Sequence, residues 1–310
     1  MKRLCTLNRG LYPNTMKFLV TGSTGLIGTQ IIKDLTKTGN EIYAGYHESK
    51  PLGGIPVQLE LTNNEDMLNI VKEIQPDVIL HLAAMTNVDR CEKEKKLASQ
   101  INTIATKMLS EQSSNNNSFF VYVSTDYVFD GEHGLKSESD APNPVNHYGY
   151  SKYQGELAVQ NKASRWCIVR TSTPFGIHDI KKSFPYFVIE NLKERKEINI
   201  LTDQYTSPTY VPNLSRMVIE VSTRQIQGIF HLAGASRISR YDLALLVSEK
   251  LHLDKNLLKQ TCINDIKWIA KRPRDSSLDV SKSAKILKEK PLSIEAGLDY
   301  FIDEIRYKPN

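Results

Sequence analysis

Residues 16–35 read MKFLVTGSTGLIGTQIIKDL, and no other stretch of the chain constrains its architecture as tightly. KFLV is a short apolar run that passes without a linker into a helical pattern, and the junction carries Gly22, Gly25 and Gly28. Glycine at such a junction permits a tight turn, close approach of backbone to a pyrophosphate, and close packing of helix on strand. The start of the helix adds free N–H groups and the positive end of its dipole, which suit an anion. Loop glycines often serve only as turns. Here the strand before and the helix after make the segment a dinucleotide cradle, with Gly22, Thr24, Gly25, Leu26, Ile27 and Gly28 as the first expected cofactor contacts.

Outward from this turn, apolar runs alternate with amphipathic ones: EIYAGY, NEDMLNIVKEIQ, DVILHLA, LASQINTIATKMLSEQ, FFVYVS, LAVQNKA and WCIVRTS. Strands that alternate with helices predict βαβ units and a parallel sheet covered on both faces. Asp77 to Leu82 and Phe119 to Val123 are nearly continuous apolar runs, as strands buried on both sides require. Roughly six strands precede residue 172, so the fold class is α/β, a doubly wound parallel sheet of the Rossmann type with a smaller α/β substrate-binding domain. The expected cofactor domain spans residues 16–172 plus roughly 209–234, and the substrate domain roughly 173–208 and 235–310. Met16 abuts the first strand, so residues 1–15 are expected to be a loose arm or a start-site artefact.

The 310 residues include 40 Lys and Arg against 35 Asp and Glu, a formal charge of +5. Without residues 1–15, which carry Lys2, Arg3 and Arg9 and no acid, the charge falls to +2. Acidic and basic residues are interspersed, so nothing invites nucleic acid, and no apolar run approaches the roughly 20 residues of a membrane span. Cys5, Cys91, Cys167 and Cys262 lie far apart with no CxxC spacing and read as reduced thiols of a cytoplasmic protein. Cys91 and Cys167 are expected in or near the core. No acidic or His/Cys cluster has metal-ligand spacing, and no metal is expected.

The second strand, EIYAGYHESK, should end beside the adenosine ribose, where an acid selects NAD and a base accommodates a 2'-phosphate. Glu48 suits the first; His47, Ser49 and Lys50 suit the second; a solvated loop would carry the same residues. NADP(H) is the expected cofactor, with NAD(H) left open. Glu60 and Leu61 should neighbour the adenine, and the backbone of Leu82, Ala83 and Ala84 should line the cofactor from below. His81 is expected to be a hydrogen-bonded strand residue.

Tyr148 and Lys152 lie four residues apart in HYGYSKYQGELA, on one face of an expected helix. A tyrosine works in proton transfer near neutral pH only if its phenolate is stabilised, which a neighbouring ammonium does. Alone, this spacing occurs on many solvated helices. Upstream, however, the strand in VYVSTDYVFDG ends in the hydroxyls of Ser124 and Thr125, able to bond a substrate carbonyl.

A hydroxyl at a strand end, a Tyr-xxx-Lys pair and the GxxGxxG turn together resemble the short-chain dehydrogenase/reductases. STDYVFDG is more specific, and with AAMTNVDRCE, QINTIAT, NHYGYSKYQGE, VRTS, LTDQYTSPTYV and RPRDSSLD it resembles the dTDP-4-dehydrorhamnose reductase family over nearly everything from Met16 onward. The resemblance implies that Thr125 orients a keto oxygen, that Tyr148 donates its proton as hydride arrives, and that Lys152 holds the nicotinamide ribose and lowers the Tyr148 pKa. It adds Asn102 to the cofactor contacts and places Thr86, Val88, Asp126 and Tyr127 around a dTDP-linked sugar. Arg272 and Arg274 suit a diphosphate by forked hydrogen bonds, although such pairs also cap helices or face solvent. Gln204, Tyr205, Thr206, Pro208 and Thr209 resemble a substrate-side segment or form a plain turn. The family commonly has tryptophan after Arg-Thr-Ser, where this chain has Thr173, so the exact sugar is left open. Two other activities fit the same residues: a nucleotide-sugar epimerase or dehydratase, and a non-catalytic regulatory subunit resembling the β-subunit of methionine adenosyltransferase. A homodimer is compatible with either.

Overall fold

The computed structural model describes residues 15–307. The expectation for residues 1–15 falls outside this range except at Thr15. The first half runs β1 (Lys17–Thr21), α1 (Leu26–Leu35), β2 (Glu41–Tyr46), β3 (Ile55–Gln58), α2 (Asn64–Ile74), β4 (Val78–His81), α3 (Val88–Lys93), α4 (Lys95–Ser99), α5 (Ala105–Asn115), β5 (Phe119–Thr125), α6 (His147–Lys162) and β6 (Trp166–Thr171). It continues through β7 (Pro174–Phe175), α7 (Phe184–Lys193), β8 (Ile198–Leu201), β9 (Tyr205–Thr206), β10 (Thr209–Tyr210), α8 (Val211–Thr223) and β11 (Gly228–His231). Then come β12 (Ile238–Ser239), α9 (Arg240–Lys250), β13 (Leu258–Thr261), α10 (Ser281–Ile286) and α11 (Ile294–Tyr307).

Seven strands form one parallel sheet in the order β11-β6-β5-β4-β1-β2-β3. Each central strand sends alternate side chains to opposite faces. Phe18 and Val20 of β1, Val78 and Leu80 of β4 and Val121 and Val123 of β5 join α1 and α8 in one core. Leu19, Ile79, Phe120 and Tyr122 enter the other, with Met67 and Val71 of α2, Leu109 of α5 and Val159 of α6. Two buried faces explain the unbroken apolar runs. A third core joins Phe175, Val188, Ile198, Tyr210, Leu243 and Leu298, and short ladders pair β7 with β10, β9 with β12 and β8 with β13. Arg170 of β6 and Glu156 of α6 form a bidentate pair at 3.0 and 2.7 Å, with side chains 2% and 0% exposed.

Candidate active site

The strand order reverses at β1, whose neighbours are β2 on one side and β4 on the other, and a crevice opens at the carboxyl ends of such strands. The glycine turn sits there. Gly22 has φ +68°, and a Cβ on it would stand 2.8 Å from the Ala83 nitrogen. A Cβ on Gly28 would stand 2.1 Å from the Gly22 oxygen, so α1 lies directly on the turn. A cavity of about 1590 Å³ extends from this cradle. Gly22, Thr24 and Gly25 line its floor, His47, Glu60 and Leu61 one end, and Leu82, Ala83, Ala84 and Thr86 the side toward β4. A backbone cradle that any side chain would fill, continuous with a long cavity, fits a dinucleotide. Gly28, Leu26 and Ile27 support the turn through α1 and lie outside the lining.

At the β2 tip, His47 Nε2 stands 2.5 Å from Glu60, whose Oε1 also accepts from the Thr62 amide and hydroxyl at 2.9 and 2.8 Å. Burial raises the Glu60 pKa, but these bonds and His47 outweigh it and hold it below the usual carboxylate value. On the β4 side, Thr21 Oγ1 accepts from the amides of Leu82 and Ala83 at 3.2 and 3.1 Å and meets His81 Nδ1 at 2.8 Å. Having accepted twice, the hydroxyl donates to Nδ1, so the His81 proton sits on Nε2 and is given to Thr106 at 3.0 Å. Burial holds His81 neutral, with its pKa down at about 3. The expected strand role of His81 is what the structure shows.

Asn102 does not face the cavity. It lies in a π-helical stretch, Gln100–Ile104, where it accepts from the Met85 amide at 2.8 Å and donates to the Met85 carbonyl at 3.1 Å and to Ser151 at 3.0 Å. These bonds hold Met85 against α6.

Helix α6 is capped by Asn146, whose Oδ1 accepts from the Gly149 amide at 2.9 Å, and this sets Tyr148 in the first turn with Lys152 one turn on. Tyr148 is half-buried, and its hydroxyl lies close enough to that of Thr125 at the end of β5 to be influenced by it. Burial pushes the phenol above its ordinary pKa; Thr125 opposes this and Asp126 adds to it. Lys152 is 2% exposed, donates to the Val123 carbonyl at 2.8 Å and stands 4.0 Å over the Tyr122 ring. Burial pulls its pKa down to about 7, against the pull of Glu156. These three side chains lie beside the cavity rather than in its wall. Met85 lines the cavity and shares an apolar cluster with Tyr148.

On the expected substrate side, Tyr127 meets Tyr148 edge to face at 5.8 Å, and Val88 opens α3 half-buried. Asp126 is buried; its carboxylate accepts from Thr125 at 2.9 Å, Ser172 at 2.8 Å and Ser276 at 2.6 Å, so it ties three segments together. Arg272 is already engaged, paired with Asp89 at 2.9 Å, bonded to the Ala270 carbonyl at 2.8 Å and stacked on Trp268. Arg274 is exposed.

Sequence reasoning missed Arg240, whose guanidinium lies near Tyr127 and Asp126, 4.9 Å from the Phe184 ring, and donates to Thr173 at 3.4 Å. Burial draws its pKa below the ordinary value. One signal was available: an arginine at the first position of a helix opposes the dipole and calls for another reason to be there. Thr173, at the position of the family tryptophan, has φ +41°, an outlier for a β-branched residue. Cys91 and Cys167 are buried, with burial raising the Cys91 thiol to about 11. Among the described residues no three His, Cys, Asp or Glu side chains gather as a metal site, and no helix is long and apolar enough to cross a membrane.

Comparison with known proteins places these features in context. The RmlD substrate binding domain family model matches residues 16–307. A probable low-salt glycan biosynthesis reductase of Haloferax volcanii is 31% identical, with 86% of this chain and 90% of that protein aligned. Methionine adenosyltransferase 2 subunit beta of Danio rerio is 28% identical over 88% of this chain and 85% of its own. The crystal structure of dTDP-4-dehydrorhamnose reductase from Bacillus anthracis, in complex with NADP, superposes with a TM-score of 0.84 at 31% identity, covering 94% of this chain and 99% of that one.

Proposed function

The chain belongs to the RmlD substrate-binding-domain family, that of the dTDP-4-dehydrorhamnose reductases, and on that premise we propose that it is an NADP(H)-dependent reductase of a nucleotide-linked 4-keto-6-deoxysugar. The substrate we assign is dTDP-4-dehydrorhamnose and the product dTDP-rhamnose; NAD(H) is the alternative cofactor. The observation that carries the reading is the approach of the Tyr148 hydroxyl to that of Thr125, with Lys152 one turn on, beside a cavity built on the glycine cradle.

Bound NADPH supplies the hydride. The Thr125 hydroxyl orients the keto oxygen by turning its proton from Asp126 to the substrate, and Tyr148, kept as a phenol by burial, gives its proton to that oxygen. The Lys152 ammonium stabilises the phenolate that remains. Thr86, Val88 and Tyr127 flank the sugar, while Asp126 fixes the Thr125 hydroxyl. Arg272, which is paired with Asp89, and beside it Arg240 and Arg274 supply cations for the diphosphate.

Purified protein should consume NADPH when given dTDP-4-dehydrorhamnose, and Tyr148→Phe should keep cofactor affinity while losing turnover by about 10²- to 10⁴-fold. No NADPH consumption with any dTDP- or UDP-linked keto sugar overturns the proposal. The similarity to methionine adenosyltransferase 2 subunit beta supports a second reading, a regulatory subunit that has the same triad. It predicts stable co-elution with a methionine adenosyltransferase catalytic subunit and no reductase turnover.

A further inference from the structure

The loop between β7 and α7 crosses to the glycine turn and is fastened there by one imidazole. His178 Nδ1 accepts the backbone N–H groups of Ile180 at 3.1 Å and Lys181 at 3.0 Å. A ring nitrogen that accepts carries no proton, so the proton of the neutral ring sits on Nε2, which donates to the Thr24 carbonyl at 3.1 Å. Thr24 lies inside the cradle, between Gly22 and Gly25. Beyond this fastening, Ile180 and Lys181 line the same cavity as the turn.

Charge makes Lys181 the side chain of interest. The turn and the first half of α1 contain no Lys or Arg, and the one basic residue of α1, Lys33, is in its last turn. That end of the helix faces the β2–β3 loop, where Gly53 packs on Ile32 and Thr36. Of the other cations on the cavity wall, Arg90 is paired with Glu94 at 2.9 Å, and Lys50 follows the β2 tip. Lys182 turns to Glu190 at 2.7 Å, away from the cavity lining that Lys181 shares. Backbone N–H groups and a helix dipole offer a pyrophosphate only partial charge, and Lys181 is the full charge placed on the same side of the cavity as the turn.

We propose that Lys181 is a direct cofactor contact, pairing with the pyrophosphate over the glycine turn, and that His178 is the positioning residue that holds it there. The proposal rests on the reading of the cavity as a dinucleotide site. Direct titration with NADPH and NADH, followed by cofactor fluorescence and without substrate, tests it. Both dinucleotides carry the pyrophosphate and only one the 2'-phosphate, so Lys181→Ala should weaken both alike, by about tenfold in Kd, while Lys181→Arg stays near wild type. His178→Ala should weaken both, and His178→Gln, whose amide can accept from the loop and donate to Thr24, should restore part of the loss. An unchanged Kd in Lys181→Ala overturns the contact, and a loss confined to NADPH overturns its assignment to the pyrophosphate. Failure of the wild-type protein to bind either dinucleotide overturns instead the reductase reading on which the proposal rests.

Discussion

Lys152→Met should make the cofactor-free protein more stable at neutral pH and below, while abolishing turnover. The side chain is 2% exposed and its ammonium makes one hydrogen bond, to the Val123 carbonyl. Burial brings its pKa from 10.5 when free to about 7 in the fold. Below about pH 7 both folded and unfolded chains hold the proton, and the fold carries the whole penalty. Between the two values the unfolded chain binds more proton than the folded one, so stability rises with pH by up to about 1.4 kcal/mol per unit. The full shift corresponds to roughly 5 kcal/mol as an upper bound. Methionine removes that penalty at similar volume but leaves the Val123 carbonyl short of a partner, at a cost of about 1–3 kcal/mol. The net expectation is a variant more stable by about 2 kcal/mol near pH 6, with the advantage gone near pH 9. Urea unfolding of both proteins at several pH values measures this, and the difference curve cancels every other titrating group. A variant less stable than wild type near pH 6, or a difference that does not change with pH, refutes the reasoning.

Two further substitutions probe the framework. Glu156→Gln leaves the buried Arg170 guanidinium without its counter-charge, which should cost about 3–5 kcal/mol by urea midpoint, and should lower the Lys152 pKa further, because Glu156 is what holds it up. Gly28→Ala drives a Cβ into the Gly22 oxygen at 2.1 Å and should cost about 2–4 kcal/mol. In Gly25→Ala the nearest atom is 3.4 Å away, so thermal melting should stay near wild type.

The sheet is legible in the sequence because its strands are buried on both faces, which turns each into an apolar run, and because the glycine turn fixes where the first one ends. The β7–β10 and β9–β12 ladders are not, since strands of two residues carry no period. Within the site, Thr125, Tyr148 and Lys152 announce themselves by spacing along the chain, and the structure brings the three together. The partners of Asn102 and Arg272 are not legible, because a side chain's type states what it can bond, not which partner reaches it first. Asn102 is taken by Met85 and Ser151, and Arg272 by Asp89. His178 escapes notice for the complementary reason. Its partner, Thr24, is 154 residues away, and nothing in TPFGIHD marks that contact.

The electrostatics of the triad set the resting form of its tyrosine. Burial keeps Tyr148 a phenol, the form that can give a proton, and disfavours the phenolate. The same burial lowers Lys152 to about 7, so the charge that would stabilise a departing proton's phenolate is itself only marginally held. The other half of the site is coupled through Asp126. One carboxylate holds the Thr125 hydroxyl, Ser172 after β6 and Ser276 in the C-terminal segment. The position of that segment and the orientation of the Thr125 hydroxyl are therefore linked through one buried side chain.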